Sequence, residues 1–136
     1  MVEDINRNPE VWERLFPKSE RRQLAEGFVE KVSLLQGIEK VAVMEVGSGL
    51  ERQQRLFVFS KGSLGIPDPD ELDDVQKVFL EVCPDKATQK LLGYTPVITE
   101  SLFQEDREGS HDIRDKEVTV LWSKPQEQAV GAGSSL

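Results

Sequence analysis

Five acidic side chains within seven residues of this sequence are dense enough to suggest a site for a divalent cation. They are Asp68, Asp70, Glu71, Asp73 and Asp74. A calcium-binding loop needs oxygen ligands at alternating positions and a glycine at the sixth, where this sequence has Asp73. Asp68 stands three residues before Glu71, with Pro69 directly after it, and this spacing is typical of a capping box. The cluster therefore favours the start of a helix over a metal site.

The glycine-rich segment Gly47–Gly49 is a second candidate, because phosphate-binding loops use glycines to bring backbone N–H groups close to a phosphate. A dinucleotide fingerprint would need a third glycine where Arg52 stands. A P-loop would need Gly-Lys-Ser/Thr where the sequence reads Arg52-Gln53-Gln54. A β-turn needs the same glycines for positive φ. The local residues therefore favour a turn between two mainly apolar runs, Val41–Val46 and Leu56–Phe59.

The other reactive residue types occur once each. His111 is the single histidine, so a zinc site with several histidines is excluded, and its polar surroundings predict a solvated loop residue. Cys83 cannot form an internal disulfide, and its place at the end of an apolar helical face predicts a small core residue. Neither residue has the sequence context of a nucleophile.

Trp12 and Phe16 lie on a short predicted helix that begins after Asn8 and ends at Pro17. A helix of this length does not persist alone in water, so it must dock on the protein's own core or on another chain. We therefore name Trp12 and Phe16 as candidate contacts with a protein partner.

Charge and length limit the classes of function. The chain has 136 residues, with 25 acidic against 17 basic side chains and a net charge of −8. Such a field disfavours broad binding to nucleic acid or to anionic membranes, and Lys18, Arg21 and Arg22 form the only tight basic group. No apolar run approaches the ~20 residues that span a bilayer, and the first residues lack the features of a signal peptide. We expect a cytoplasmic protein that does not bind membranes.

The elements that position these residues follow from hydrophobic periodicity. We predict helices over 9–16, 19–36, 69–82 and 85–92, with Ser19 capping the second and Gly37 as its left-handed C-cap. Strands are predicted over 41–46, 56–59, 95–99 and 118–122, and residues 104–110 are predicted to form a polar loop. The sequence thus predicts a short N-terminal docking helix (1–17), one α+β domain (18–123) and a flexible tail (124–136). In that domain helices flank a small mixed or antiparallel sheet.

In this order of elements the chain resembles a minimal nucleotidyltransferase domain of the polymerase-β-like superfamily, over about residues 20–123. The resemblance rests on a leading helix, a strand that ends in Gly47-Ser48, a second strand and a later helix. It implies that the Gly-Ser pair contacts nucleotide phosphates. It also implies that two acids in an Asp-x-Asp pattern on the second strand, with a third acid on a later strand, bind metal.

The metal ligands that this resemblance requires are missing. Gly47 and Ser48 match the pattern, but the Asp-x-Asp positions fall near Gln53 and Arg55, and the third acid falls near Thr95 or Val97. A guanidinium group stays protonated and repels a divalent cation where a carboxylate should hold it. Two-metal phosphoryl transfer cannot run without those ligands. The resemblance therefore implies a copy that has lost its chemistry and needs no cofactor.

Three hypotheses follow. The leading one is a non-catalytic nucleotidyltransferase-like module that acts through protein–protein contact, in a regulatory or antitoxin-like role. The second is a Mg²⁺-dependent nucleotidyltransferase whose ligands come from elsewhere, such as Glu45, Glu51, Asp68 or Asp70. The third is an unrelated α+β interaction domain, and finding the strands at 41–46 and 56–59 in different sheets would favour it.

Overall fold

Five helices and four strands form within the part of the chain that the computed structural model describes, which is residues 5–6, 8–47, 53–93, 95–109 and 116–124. The helices are α1 (Pro9–Leu15), α2 (Ser19–Val32), α3 (Pro69–Val82), α4 (Lys86–Leu92) and α5 (Glu100–Glu108). The strands are β1 (Ile38–Val46), β2 (Gln53–Ser60), β3 (Val97–Thr99) and β4 (Val118–Ser123). The predicted tail lies outside the described residues from position 125 onwards.

The four strands form one mixed sheet in the order β3-β2-β1-β4. β1 runs antiparallel to both β2 and β4, and β2 runs parallel to β3. Val41 of β1 therefore lies between Val58 of β2 and Trp122 of β4. This architecture confirms the predicted α+β class with a small sheet flanked by helices. The two apolar runs are neighbouring strands of a single sheet, so the arrangement that would favour the third hypothesis is not present.

The larger core covers one face of the sheet. Side chains alternate along a strand, so Val41, Val43, Leu56 and Val58 point to the same face. Buried residues of α1, α2, α3 and α4 pack against them, among them Phe28 of α2. Cys83 is completely buried in this core, as predicted from its position at the end of an apolar helical face.

The smaller core lies on the opposite face, where Ala42, Met44 and Phe59 pack with Phe103 of α5. The ring centroids of Phe59 and Phe103 are 5.0 Å apart in an edge-to-face arrangement. The prediction of a polar loop over 104–110 was wrong, because residues 104–108 are the second half of α5. The helix forms because Phe103 is buried against the sheet, which the polar run after it does not reveal.

Trp12 and Phe16 are buried in the chain's own core, with 4% and 0% of their surfaces exposed. The indole N–H of Trp12 donates a hydrogen bond of 2.7 Å to the backbone oxygen of Asn6, and the two rings are 5.8 Å apart. α1 could dock on the protein's own core or on another chain, and the structure shows it on the protein's own core. These residues are therefore not exposed contacts for a partner.

The helix ends follow the sequence in part. Asn8 caps α1, since its side-chain oxygen accepts from the N–H of Glu10 at 3.0 Å, and Asp68 with Glu71 forms the predicted capping box of α3. The predictions for α2 were wrong at both ends. Lys18 rather than Ser19 is its N-cap residue, and the helix ends at Val32. Gly37 lies beyond it without positive φ.

The physical reason for a glycine at position 37 is space rather than conformation. A Cβ atom there would lie 2.6 Å from the carboxylate of Glu71, which also accepts from the N–H of Gly62 at 3.1 Å. The carboxylate that caps α3 therefore also joins that helix to the segment after β2. Among the described residues, no helix is long and apolar enough to cross a bilayer.

Candidate functional site

Gly47 lies at the end of β1, which pairs with β2 in an antiparallel β-hairpin. Gly47 follows β1 with a φ of +86° and is exposed, so the positive φ expected of a turn glycine is present. In the register of the hairpin Gln53 stands opposite Val46, and Arg55 stands opposite Met44. Ser48, the other member of the predicted phosphate corner, lies outside the described residues.

A pocket of about 520 Å³ opens beside the first residues of β2. Its walls come from α1, from the connection between α1 and α2, from α2, from α4 and from the hairpin. The lining residues are Arg14, Leu15, Phe16, Pro17, Lys18, Arg21, Glu45, Gln53, Gln54, Lys90 and Leu91. The structure therefore places Gln53, one of the positions where a metal ligand was expected, in the wall of a pocket.

The charged lining of this pocket is mainly cationic. Arg14, Lys18, Arg21 and Lys90 face a single acidic residue, Glu45. Glu45 itself lies 3.3 Å from the ammonium nitrogen of Lys116, so its negative charge is partly compensated. This excess of positive charge is local, because the whole chain carries a net charge of −8.

Arg21 forms the fixed wall of the pocket. Its guanidinium donates to the backbone oxygens of Leu91 and Leu92 at the end of α4, and to that of Gln54 in β2. The same group lies 4.9 Å above the ring of Phe16. Burial lowers the pKa of Arg21, and the nearby charge of Arg55 lowers it further. The side chain thus joins α2, α4 and β2 and brings a second positive charge close to Arg55.

A cation does not fit the positions where the resemblance requires metal ligands. Gln53 offers a neutral amide, and Arg55 and Arg21 place positive charge nearby. Among the described residues, no group of three or more His, Cys, Asp or Glu side chains could hold a metal ion.

The alternative ligands of the second hypothesis have other partners or lie elsewhere. Glu45 lies beside Lys116, and Asp68 belongs to the capping box and accepts from Ser63 at 3.2 Å. Asp70 lies in the first turn of α3. Glu51 is outside the described residues.

A tight turn spans residues 63–66, in a segment for which the sequence predicts neither a helix nor a strand. Ser63 and Ile66 exchange two backbone hydrogen bonds of 2.8 and 3.1 Å, which leaves Leu64 and Gly65 at the tip. Leu64 has a φ of +56°, which an L side chain rarely adopts, and its side chain is 100% exposed. The two glycines at 62 and 65 were the only sequence signal for this turn.

Cys83, another of the sequence candidates, does not line the pocket and is not part of the 63–66 turn. Burial raises the pKa of the Cys83 thiol, and the charge of Asp85 raises it further, so the group is an inert core residue. His111 lies outside the described residues. Comparison of the chain with family models, curated proteins and solved structures found no match.

Proposed function

We propose that this chain is a non-catalytic nucleotidyltransferase-like module that acts by binding another protein. The observation that carries the proposal is the tip of the 63–66 turn, where Leu64 is held fully exposed in a left-handed backbone conformation. A branched apolar side chain gains no hydrophobic stabilisation from folding at this position, since it contacts water as it does in the unfolded chain. Burying it against a partner would contribute about 1.5–3 kcal/mol.

The rigidity of the turn supports this role. Besides the two backbone hydrogen bonds between Ser63 and Ile66, the hydroxyl of Thr99 donates to the oxygen of Gly65 at 2.7 Å. A left-handed conformation costs an L residue about 1–2 kcal/mol, and such strain persists only where the surroundings impose it. A backbone fixed in advance loses little entropy on binding. Exposed Ile66 next to it extends the apolar tip.

The non-catalytic part of the proposal is supported by the hairpin. Gln53 and Arg55 stand where the resemblance calls for carboxylates, and Arg21 adds positive charge beside them. We therefore expect no phosphoryl transfer and no requirement for Mg²⁺. We place the module in the cytoplasm because its single cysteine fits a reducing compartment. The resemblance to the nucleotidyltransferase fold supports a regulatory or antitoxin-like role.

The protein-binding part is tested by replacing Leu64 with glycine, because this variant separates binding from folding. Leu64→Gly removes the exposed side chain and also relieves the strain, so the variant should be as stable as the parent or up to about 1 kcal/mol more stable. Tagged parent, Leu64→Gly and a control, Leu34→Ser, are expressed in the native cell and captured for quantitative mass spectrometry. Leu34 is exposed apolar surface outside the turn.

We expect a protein that the parent and the Leu34→Ser control capture equally and that Leu64→Gly captures at least about tenfold less, a loss of ~1.4 kcal/mol or more. Identical capture by all three proteins would overturn the proposed contact. The catalytic question has its own test, in which Mg²⁺, nucleoside triphosphates and candidate acceptors are incubated with the pure protein. Turnover that Ser48→Ala abolishes would show that the chain is an enzyme.

A further inference from the structure

We propose that the pocket beside the start of β2 binds a small multivalent anion, a compound with two or more phosphate or carboxylate groups, and that it does so without a metal ion. The inference rests on four cationic side chains that converge on one pocket of a chain whose net charge is −8. It is independent of the protein-binding role, since it uses neither Leu64 nor the turn around it.

The cations come from separate elements that the fold brings together. Arg14 lies in the last turn of α1, Lys18 is the N-cap residue of α2, and Lys90 lies in the last turn of α4. Within the part of the chain that the structure describes, neither Lys18 nor Lys90 forms an ion pair. Arg14 lies 3.7 Å from Glu117, but both side chains are more than half exposed, so that pair contributes little. The three groups are therefore available to a ligand.

The inner wall adds a fixed positive charge and polar donors. Arg21 is held by three backbone oxygens, so its charge stays at one point and cannot swing out to follow a ligand. The amide side chains of Gln53 and Gln54 line the same pocket and can donate hydrogen bonds.

The charge distribution limits the size of the ligand. Attraction to exposed charges decays over about 8 Å at physiological salt, so it acts within the pocket and not across the protein. A nucleic acid or a long acidic segment would extend beyond the pocket over a chain whose net charge is −8. A compact ligand meets four cations and one acidic side chain, and a volume of about 520 Å³ is in the range of small-molecule sites.

The test is titration calorimetry and thermal unfolding with tripolyphosphate and with citrate, at low salt and with a chelator present. We expect saturable binding that raises the melting temperature and weakens as salt increases. The double variant Lys18→Gln/Lys90→Gln should weaken binding at least tenfold. The control Lys77→Gln/Lys86→Gln removes the same charge from exposed lysines that do not line the pocket, one of them on α4 itself.

The outcomes identify the chemical class of the anion and show whether the proposal fails. Binding of tripolyphosphate alone assigns a phosphate compound, and binding of citrate alone assigns a carboxylate. Equal losses in the two double variants would mean that general attraction, rather than the pocket, holds the anion, and this would overturn the proposal. So would the absence of heat and of any thermal shift with both compounds, or binding that appears only when Mg²⁺ replaces the chelator.

Discussion

At the scale of single residues, Gly62 is the position where glycine is required both by conformation and by space. Its φ is +67°, and a Cβ atom would lie 2.4 Å from the backbone oxygen of Ile66 and 2.7 Å from a methyl group of Thr99. The substitution Gly62→Ala should therefore lower the free energy of unfolding by about 2–3 kcal/mol. Urea denaturation followed by circular dichroism measures this change.

Gly27 is the matched control, because it lies inside α2 and a Cβ atom there would meet nothing within 4 Å. Gly27→Ala should raise the free energy of unfolding by roughly 0.5–1 kcal/mol, since alanine loses less backbone entropy in a helix. If both substitutions changed stability in the same direction, the conformational explanation for Gly62 would be wrong.

At the scale of elements, Thr99 joins β3, α5 and the 63–66 turn. Its buried hydroxyl donates to the oxygen of Gly65 at 2.7 Å and accepts from the N–H of Leu102 at 3.3 Å, which caps α5. Thr99→Val keeps the volume but removes both bonds, so it should cost about 1–2 kcal/mol of stability. Thr99→Ser keeps the hydroxyl and should lose clearly less. Equal losses in the two variants, measured by urea denaturation, would show that packing matters there and hydrogen bonding does not.

The elements that the sequence predicts well are those whose signals are local. One such signal is the capping pair Asp68 and Glu71, and another is the apolar run on either side of Gly47. Each comes from residues that are close in sequence, and the structure contains the helix and the hairpin that they indicate. The misses depend on distant residues. α5 forms because Phe103 packs on Phe57 and Phe59 of β2, and Gly37 is needed because a carboxylate from α3 lies against it.

The pocket was beyond sequence reasoning for the same reason. Lys18 and Arg21 were visible as part of a basic group, but Arg14 and Lys90 are distant from each other along the chain. The packing of α1 and α4 beside the hairpin brings all four to one place. Gln53 and Arg55 were identifiable because the resemblance assigned metal ligands to their positions, where carboxylates are missing. The exposed tip at Leu64 had no signal except glycine at 62 and 65.

At the scale of the whole molecule, the pair of Lys40 and Glu100 makes stability depend on pH. The nitrogen of Lys40 lies 2.6 Å from the carboxylate, and the amide of Gln104 donates to it at 2.7 Å. Burial raises the pKa of Glu100, but these hydrogen bonds and the charges of Lys40 and Arg107 lower it by more, so the pKa lies below its ordinary value. The contribution is present above the unfolded pKa and is lost as pH falls through the folded pKa.

Glu100→Gln should therefore lower the free energy of unfolding by about 0.5–1 kcal/mol at neutral pH, because the carboxylate is half exposed. The difference from the parent should shrink as the pH falls through the lowered pKa of Glu100, below which the parent carboxylate is protonated in both states. Urea denaturation at several pH values measures it. Glu105→Gln on the same helix is the matched control. A difference that grew on acidification would contradict the assignment.

The two faces of the sheet are protected unequally. Among the described residues, four helices cover one face, while Phe103 of α5 is the only helical side chain buried in the core on the other. Detachment of α5 would expose the aromatic and aliphatic side chains of β1 and β2 in the smaller core, while the larger core on the other face stayed intact. We therefore expect α5 to open at a lower free energy than the rest of the fold, and proteolysis and aggregation to begin from that partly open form.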